Sequence, residues 1–335
     1  LMEIAKNAKV IDIHAHAVLL ETIGAAGELG PFISEVGEKP PWFKIGDYCL
    51  EGVNYHNSPF TDVFLRLEMM DSVGIDYQVI GPNPLTYLYQ ADRQTGMSFC
   101  RTHNDALSNQ LKLGKGRLGG FAALPMQNIE DAIEELDRAV SELGLLGAGI
   151  GTNLPFSLDS PEMDNFYDKL VALNAPVYIH PTTQSTLGKV TDKRMERFDL
   201  DIMLGFTAEE TLATIELIFG GVLNRHPELD ICVSHGGGAI SFIAGRLKLA
   251  AQTRPWTPDH LKSDGAFESQ LSRLWFDVHV HNSDSFNLLR KWANKDHLLF
   301  GTNFSGWDHQ SDNLNEVLST DIDYADNARK FLRIT

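Results

Sequence analysis

From Thr61 onwards the sequence alternates segments of helical and strand-like period, and that alternation leaves few architectures open. TDVFLRLEMMDSVG carries apolar residues at helical spacing and stops at Gly74, and YQVIGP (77–82) is a short apolar strand with a proline stop. A long helix is expected from about Asp92 to Leu113, followed by the strand RLGGFAALP (117–125). The next helix, NIEDAIEELDRAVSELG (128–144), has Asn128 placed as N-cap and Gly144 as C-cap. After the strand LLGAGIGT comes SPEMDNFYDKLVALN, where Ser160 caps and Pro161 takes the first helical position. The strand APVYIHP, an irregular stretch (182–205), the helix TAEETLATIELIFGGVLNRHP and the strand LDICVSH follow. HGGGAISFIAGRLKLAA opens a further helix, LWFDVHVH (274–281) is a seventh strand, SDSFNLLRKWANK a helix and HLLFGTN (297–303) the eighth strand.

The first strand of this set lies earlier, in KVIDIHAH (9–16). Eight short apolar strands separated by helices predict an α/β chain folded as a (β/α)8 TIM barrel, with functional residues at the carboxyl ends of the strands. The 335 residues suit one such barrel, which needs about 250, carrying an insertion after strand 1. The whole chain, 1–335, is therefore read as a single domain. Residues 18–60 (GELGPF, EKPPWFKIGDY, NYHNSPF) are rich in Gly, Pro and aromatics with little helical or strand period, so they are read as an irregular lid over the site. Within it Lys44, Tyr48, Tyr55 and His56 are candidates to face substrate, and Trp42, Phe43, Tyr48 and Tyr87 are candidate aromatic walls.

Charge and cysteine content narrow the function class. With 45 acidic against 28 basic side chains the net charge is −17, which disfavours binding to nucleic acid or to an anionic membrane surface. No run of about 18 apolar residues is present to span a bilayer, and the amino terminus lacks a secretory signal pattern. Cys49, Cys100 and Cys232 are odd in number and widely spaced, so they are read as free thiols of a cytoplasmic protein.

Histidines then fall at strand ends. His14 and His16 end strand 1, His180 ends strand 5 and His235 ends strand 6, with Asn303 after strand 8. Residues i and i+2 of an extended strand share a side, so His14 and His16 can converge on one ion without distortion of the backbone. Neutral imidazole is a good ligand for Zn(II) and related metals.

At this point IDIHAH, GGFAALPMQ, GAGIGTNL, VYIHPT, GFTAEETLATIELIFGGVLNRHPELDICVSHGGGAISFIAGR and LLFGTNF, in that order, resemble the amidohydrolase superfamily, in particular the branch of 2-amino-3-carboxymuconate-6-semialdehyde decarboxylase. The resemblance implies one divalent metal, usually zinc with manganese as an alternative, bound by His14, His16 and His180. It implies that His235 moves protons at the substrate or the metal-bound water, and that Arg246 holds a substrate carboxylate. It further implies a small-molecule carboxylate as partner and a homodimer, in which Arg194, Arg197 or Arg254 are candidates to reach a neighbouring site.

Two departures stand out. The superfamily has Asp in a GTD motif where this chain has Asn303 in GTN, and Asn offers a metal only a neutral carbonyl oxygen and cannot act as a general base near neutral pH. Asn303 is nonetheless read as completing the coordination and the catalytic set, with Asp308, Asp277 and Asp12 as possible replacements. The amino-terminal substrate arginine has no counterpart, and Lys44 is the nearest cation by position. His279 and His281 share one face of strand 7 and are read as outer support or core. The expected activity is decarboxylation of a small unsaturated or aromatic acid. The alternatives are hydrolysis or hydration of an amide, lactone or ring-cleavage product by a metal-bound hydroxide, or a non-catalytic barrel that binds a small acid.

Overall fold

The computed structural model describes residues 3–182, 192–304, 306, 308, 309 and 317–334. Eight parallel strands run in the order β1 (Ile11–His16), β5 (Tyr77–Gly81), β6 (Leu118–Ala123), β7 (Gly147–Gly151), β8 (Val177–His180), β9 (Ile231–Val233), β10 (Trp275–Asp277) and β11 (Leu298–Leu299). The two edges of the sheet meet. Ile13 N–H donates to Phe300 O at 3.0 Å, and beyond β11 Phe304 donates to His14 O at 3.2 Å and accepts from His16 N–H at 2.7 Å. The result is the (β/α)8 barrel that the alternation predicts. Every residue of β1, β5, β6, β7 and β8 is buried, because the barrel interior covers one face and the helices the other. Where the strands begin, Ala5, Ala8, Ala328, Phe331 and Leu332 pack with Ile11, Tyr77, Phe121, Tyr178 and Trp275, so the terminal segments seal that end.

Several local expectations need correction. β1 is not regular: its register on β5 slips between Asp12 and Ala15, so His14 and His16 are presented across a bulge-like irregularity. Asp12 stabilises the slip by accepting from His14 N–H (3.1 Å) and Thr302 N–H (3.0 Å) through Oδ1, and from Gln78 Nε2 (2.8 Å) and Thr302 Oγ1 (2.7 Å) through Oδ2. The buried Arg66 braces the same turn, donating to Gln78 Oε1 (2.7 Å) and to His16 O (2.6 Å). The helix Ile129–Ser141 is capped by Asn128 as expected but ends at Glu142, and Gly144 (φ +73°) serves the turn that follows. Ser160 precedes a single 3-10 turn with its hydroxyl unpaired, and the α-helix begins only at Asp164. Of the expected seventh strand only β10 is extended. The N–H of His279 turns back to Asp277 Oδ1 (3.0 Å), and His281 is left-handed at φ +68°, so this second HxH pair does not lie on a strand.

The insertion is also more ordered than its composition suggests. β2 (Phe32–Ile33), β3 (Trp42–Ile45) and β4 (Tyr48–Glu51) form an antiparallel sheet. Phe43 and Ile45 point to one side, where they join Val18, Tyr55, Leu85, Leu88 and Phe99 in a small core, while Lys44 between them is exposed. Strands of two to four residues are too short to give a readable period. In the irregular stretch 182–205, residues 183–191 lie outside the described residues; beyond them Leu200–Met203 leads into the helix Gly205–Phe219. No helix among the described residues is long and apolar enough to cross a membrane.

Replacing Asp12 by Ala strips four buried donors of their acceptor, and we expect a loss of about 2–4 kcal/mol in denaturant unfolding. A loss below about 0.5 kcal/mol, the range of an ordinary surface change, would show that the seam does not depend on this carboxylate.

Candidate metal centre and active site

His14 and His16 at the end of β1 and His180 at the end of β8 meet at the barrel mouth, with ring centroids 4.9–5.2 Å apart. Each ring is fixed through Nδ1. His14 Nδ1 lies 3.0 Å from Asp277 Oδ2, His16 Nδ1 3.0 Å from Pro82 O and His180 Nδ1 2.7 Å from Pro181 O. Carbonyl and carboxylate oxygens only accept, so each Nδ1 carries the proton and each Nε2 keeps a bare lone pair. All three Nε2 atoms are buried without a hydrogen-bond partner, and one ring nitrogen from each histidine lies within 4.8 Å of the others. Orphaned, converging imidazole lone pairs fit a divalent metal, and the outer oxygens are the partners that metal-bound histidines use.

Protonation favours the same reading. Burial, aided by the neighbouring imidazoles, pulls His14 down to about 4 despite Asp277, and holds His16 and His180 well below the usual histidine range. No proton has to leave these rings for a cation to enter. Asp277 stays ionised: burial pushes its carboxyl up, but the adjoining His14, His235 and His279 imidazoles outweigh this.

His235 differs. It follows β9 in the sequence SHGGG, with φ +47°, and Gly236, Gly237 and Gly238 continue left-handed at +65°, +72° and +65°. A Cβ on Gly237 would come within 2.7 Å of the Phe276 ring, so the turn can pass only as glycine. Its Nδ1 lies 2.5 Å from Glu210 Oε1, a buried carboxylate that also accepts from Ser234 Oγ at 2.5 Å. Burial alone would lower His235, but Glu210, Asp277 and Asp308 together raise it to about 9. These carboxylates favour the imidazolium form, and on the cavity side Nε2 has Asn303 Nδ2 3.4 Å away.

Asn303 is buried beside His235, left-handed at φ +52°, with its Nδ2 donating to Asp308 Oδ1 at 2.6 Å. Asp308 folds back five residues to reach it, and its Oδ2 lies 3.3 Å from His279 Nε2 and 2.9 Å from His281 Nε2. Asp308 groups with His235 and His279 and not with the three-histidine cluster. Asp12 and Asp277 are each committed to neighbouring donors, the first at the β1 seam and the second on His14.

These groups open into a cavity of about 870 Å³, which Tyr48, Leu50 and Tyr55 of the insertion, Ile202, Met203 and Phe206 of the next excursion, and Phe242 line. Among the described residues no Lys or Arg lines it. Lys44 is exposed on β3 with its side chain away from the small core, and Arg246 is exposed on the helix Ile240–Thr253; neither lines the cavity of its own chain. His56 is bonded to Ser34 O at 2.6 Å, Trp42 to Glu38, and Phe43 is packed in the core of the insertion. Arg194 pairs with Asp192, and Arg197 stacks on Phe198. All three cysteines are free.

A parallel barrel with this histidine set defines a class: the chain belongs to the amidohydrolase family, whose model matches residues 11–334. It is 31% identical over 244 residues to 2-amino-3-carboxymuconate-6-semialdehyde decarboxylase of Dictyostelium discoideum, covering 72% of this chain and 66%, just under two thirds, of that protein. It is 26% identical over 294 residues to gamma-resorcylate decarboxylase of a Rhizobium strain, covering 80% and 86% of the two chains. A solved structure of the Novosphingobium aromaticivorans 5-carboxyvanillate decarboxylase, an aspartate-to-asparagine variant with bound manganese, superposes with a TM-score of 0.73 at 22% identity over 82% of each chain. These relatives are decarboxylases, and hence carbon–carbon lyases, and the last holds a divalent metal.

Glu210 is a residue of the site that the sequence reading missed. A signal existed: Glu210 stands on the buried stripe of its helix with Ala213, Thr214 and Leu217, at three, four and seven residues' spacing, where an acid is out of place unless paired. In metal-free protein, nitrogen-detected NMR should place the His235 titration near pH 9, within its surroundings of Glu210, Asp277, Asp308, His14, His180 and His279. Glu210→Gln should lower that midpoint by about 1–3 pH units; an unchanged midpoint would remove Glu210 from this role.

Proposed function

We propose that the protein is a metal-dependent decarboxylase of a small unsaturated or aromatic carboxylic acid. Zinc is the proposed metal, with manganese as the alternative. The observation that carries this reading is the pairing of three lone-pair imidazoles with a fourth imidazole held as a proton donor by a buried carboxylate. Decarboxylation at carbon needs an acid, because the carbon that loses CO2 must take up a proton. Hydrolysis needs a base near the attacking water, and the position that would supply one is Asn303, which cannot.

His14, His16 and His180 would hold the ion through Nε2, with the amide oxygen of Asn303 as a further neutral ligand. When bound, the ion supplies Lewis-acid polarisation of a substrate oxygen. His235 Nε2–H, oriented by Glu210 from the far side of the ring, delivers its proton to the substrate carbon. The bond from that carbon to the carboxylate breaks, its electron pair takes the proton, and CO2 leaves. Solvent then returns a proton to His235. With no Lys or Arg among the described lining residues, the substrate's negative charge is met within one chain by the ion and by the His235 imidazolium.

The homodimer belongs to the same proposal. Phe242, Arg246 and Leu249 are exposed along one face of the helix Ile240–Thr253, and Phe242 also borders the cavity, so a second copy on this face would bring further groups to the mouth. In that arrangement Arg246 is the candidate substrate cation, and Lys44 remains one only if the insertion closes further. The three free thiols support a reducing compartment, the cytoplasm.

Metal-loaded protein incubated in D2O with a panel of hydroxybenzoic and carboxymuconic acids should release CO2 and leave one deuterium where the carboxylate stood. His235→Ala should lower kcat by about 10²–10⁴. Water oxygen appearing in the product without CO2 would contradict the lyase reading, and full turnover by His235→Ala would remove its role.

A further inference from the structure

His279 has no part in the reaction derived above, yet it is buried at the cavity wall and converges on the site. One ring nitrogen of His279, one of His235 and an oxygen of Asp308 form a second group of donors within 4.8 Å of one another, with His279 Nε2 3.3 Å from Asp308 Oδ2. The His235 ring lies 4.8 Å from that of His14 and 5.6 Å from that of His279, so this group adjoins the three-histidine site and shares the cavity with it.

The charges around it are unequal. Glu210 is committed to His235 Nδ1 and Asp277 to His14 Nδ1. Among the described residues Asp308 meets imidazoles and the Asn303 amide, and it lines the cavity directly. A carboxylate with two imidazoles is a donor set that zinc and similar borderline ions favour. His281, half-exposed with Nε2 2.9 Å from the same carboxylate, stands at the outer side as an additional donor. A tetrahedral ion with bonds of about 2.0–2.2 Å needs its donors about 3.4 Å apart, so modest side-chain rotation closes the cluster.

We propose that His235, His279 and Asp308 form a second divalent-cation site, selective for zinc-like ions, and that its occupation switches the enzyme off. An ion held there takes up the His235 ring nitrogen that faces the cavity, and a proton on that nitrogen leaves to water. The ring is then no longer a proton donor. The inhibitory part rests on the decarboxylase reading; the site itself does not. Without an ion Asp308 is held by His279, His281 and Asn303, and His235 by Glu210, so metal counting separates the two states.

Metal-free protein dialysed against buffered zinc at rising free concentration, with bound metal counted by mass spectrometry, should reach two equivalents. His279→Gln and Asp308→Asn should each fall to one while keeping the parent's circular dichroism, and His14→Ala should lose the other equivalent. One equivalent in the parent at saturation overturns the proposal. So does a second equivalent that persists in both His279→Gln and Asp308→Asn. With an acid that the protein decarboxylates, turnover should rise with the first equivalent and drop about a hundredfold as the second binds, and His279→Gln should escape the drop. If no acid in the panel is decarboxylated, the count still decides the site; if CO2 is released by a protein that binds only one equivalent, the decarboxylase reading stands and the second site does not.

Discussion

One buried carboxylate, Asp277 at the end of β10, accepts from His14 Nδ1–H, the Tyr178 hydroxyl and the backbone N–H groups of His235 and His279. Those four donors come from β1, from the body of β8 and from the turns that follow β9 and β10. Each would be an unpaired polar group in a dry interior without it, and an ionised carboxylate there is tolerated only because all four point at it. The same hydrogen bonds set the tautomer of the His14 ring, begin the turn that carries His235 and end β10 early enough for His279 to reach the cavity. Geometry at the mouth is thus bought by burying one charge.

Asp12 does the corresponding work at the seam. Closing a barrel between its first and last strands requires the register to fit, and the irregularity at Asp12–Ala15 would leave N–H groups of His14 and Thr302 unpaired. The Asp12 side chain pairs both, and Arg66 holds the carbonyl of His16. Three of the nine left-handed non-glycine residues among those described, His235, His281 and Asn303, stand at the barrel mouth; this conformation persists where surrounding contacts enforce it.

The barrel was legible because its strands are short apolar runs and its helices carry start signals such as Asn128, which caps as placed; Asp62 and Asp92 cap their helices in the same way. The three converging histidines were legible because they sit at strand ends, where a parallel barrel exposes side chains. What could not be read were pairings between distant positions. Asp277 lies 263 residues from His14, and Glu210 lies 25 from His235 on a different element, so no local spacing links them. Asp308 was visible as an alternative acid, but only the folded chain shows that it bonds Asn303 and faces His279 rather than the three-histidine cluster. Lys44 and Arg246 were chosen by position in the chain, which says nothing about the direction of a side chain on β3 or on an outer helix.

The central claim is that three Nε2 lone pairs make one metal site, and anomalous diffraction from zinc- or manganese-loaded crystals tests it most directly. The account predicts a peak about 2.0–2.2 Å from Nε2 of each of His14, His16 and His180, with every Nδ1 still on its oxygen partner. A peak bound through any Nδ1, or saturated crystals with no peak among these three rings, would contradict it.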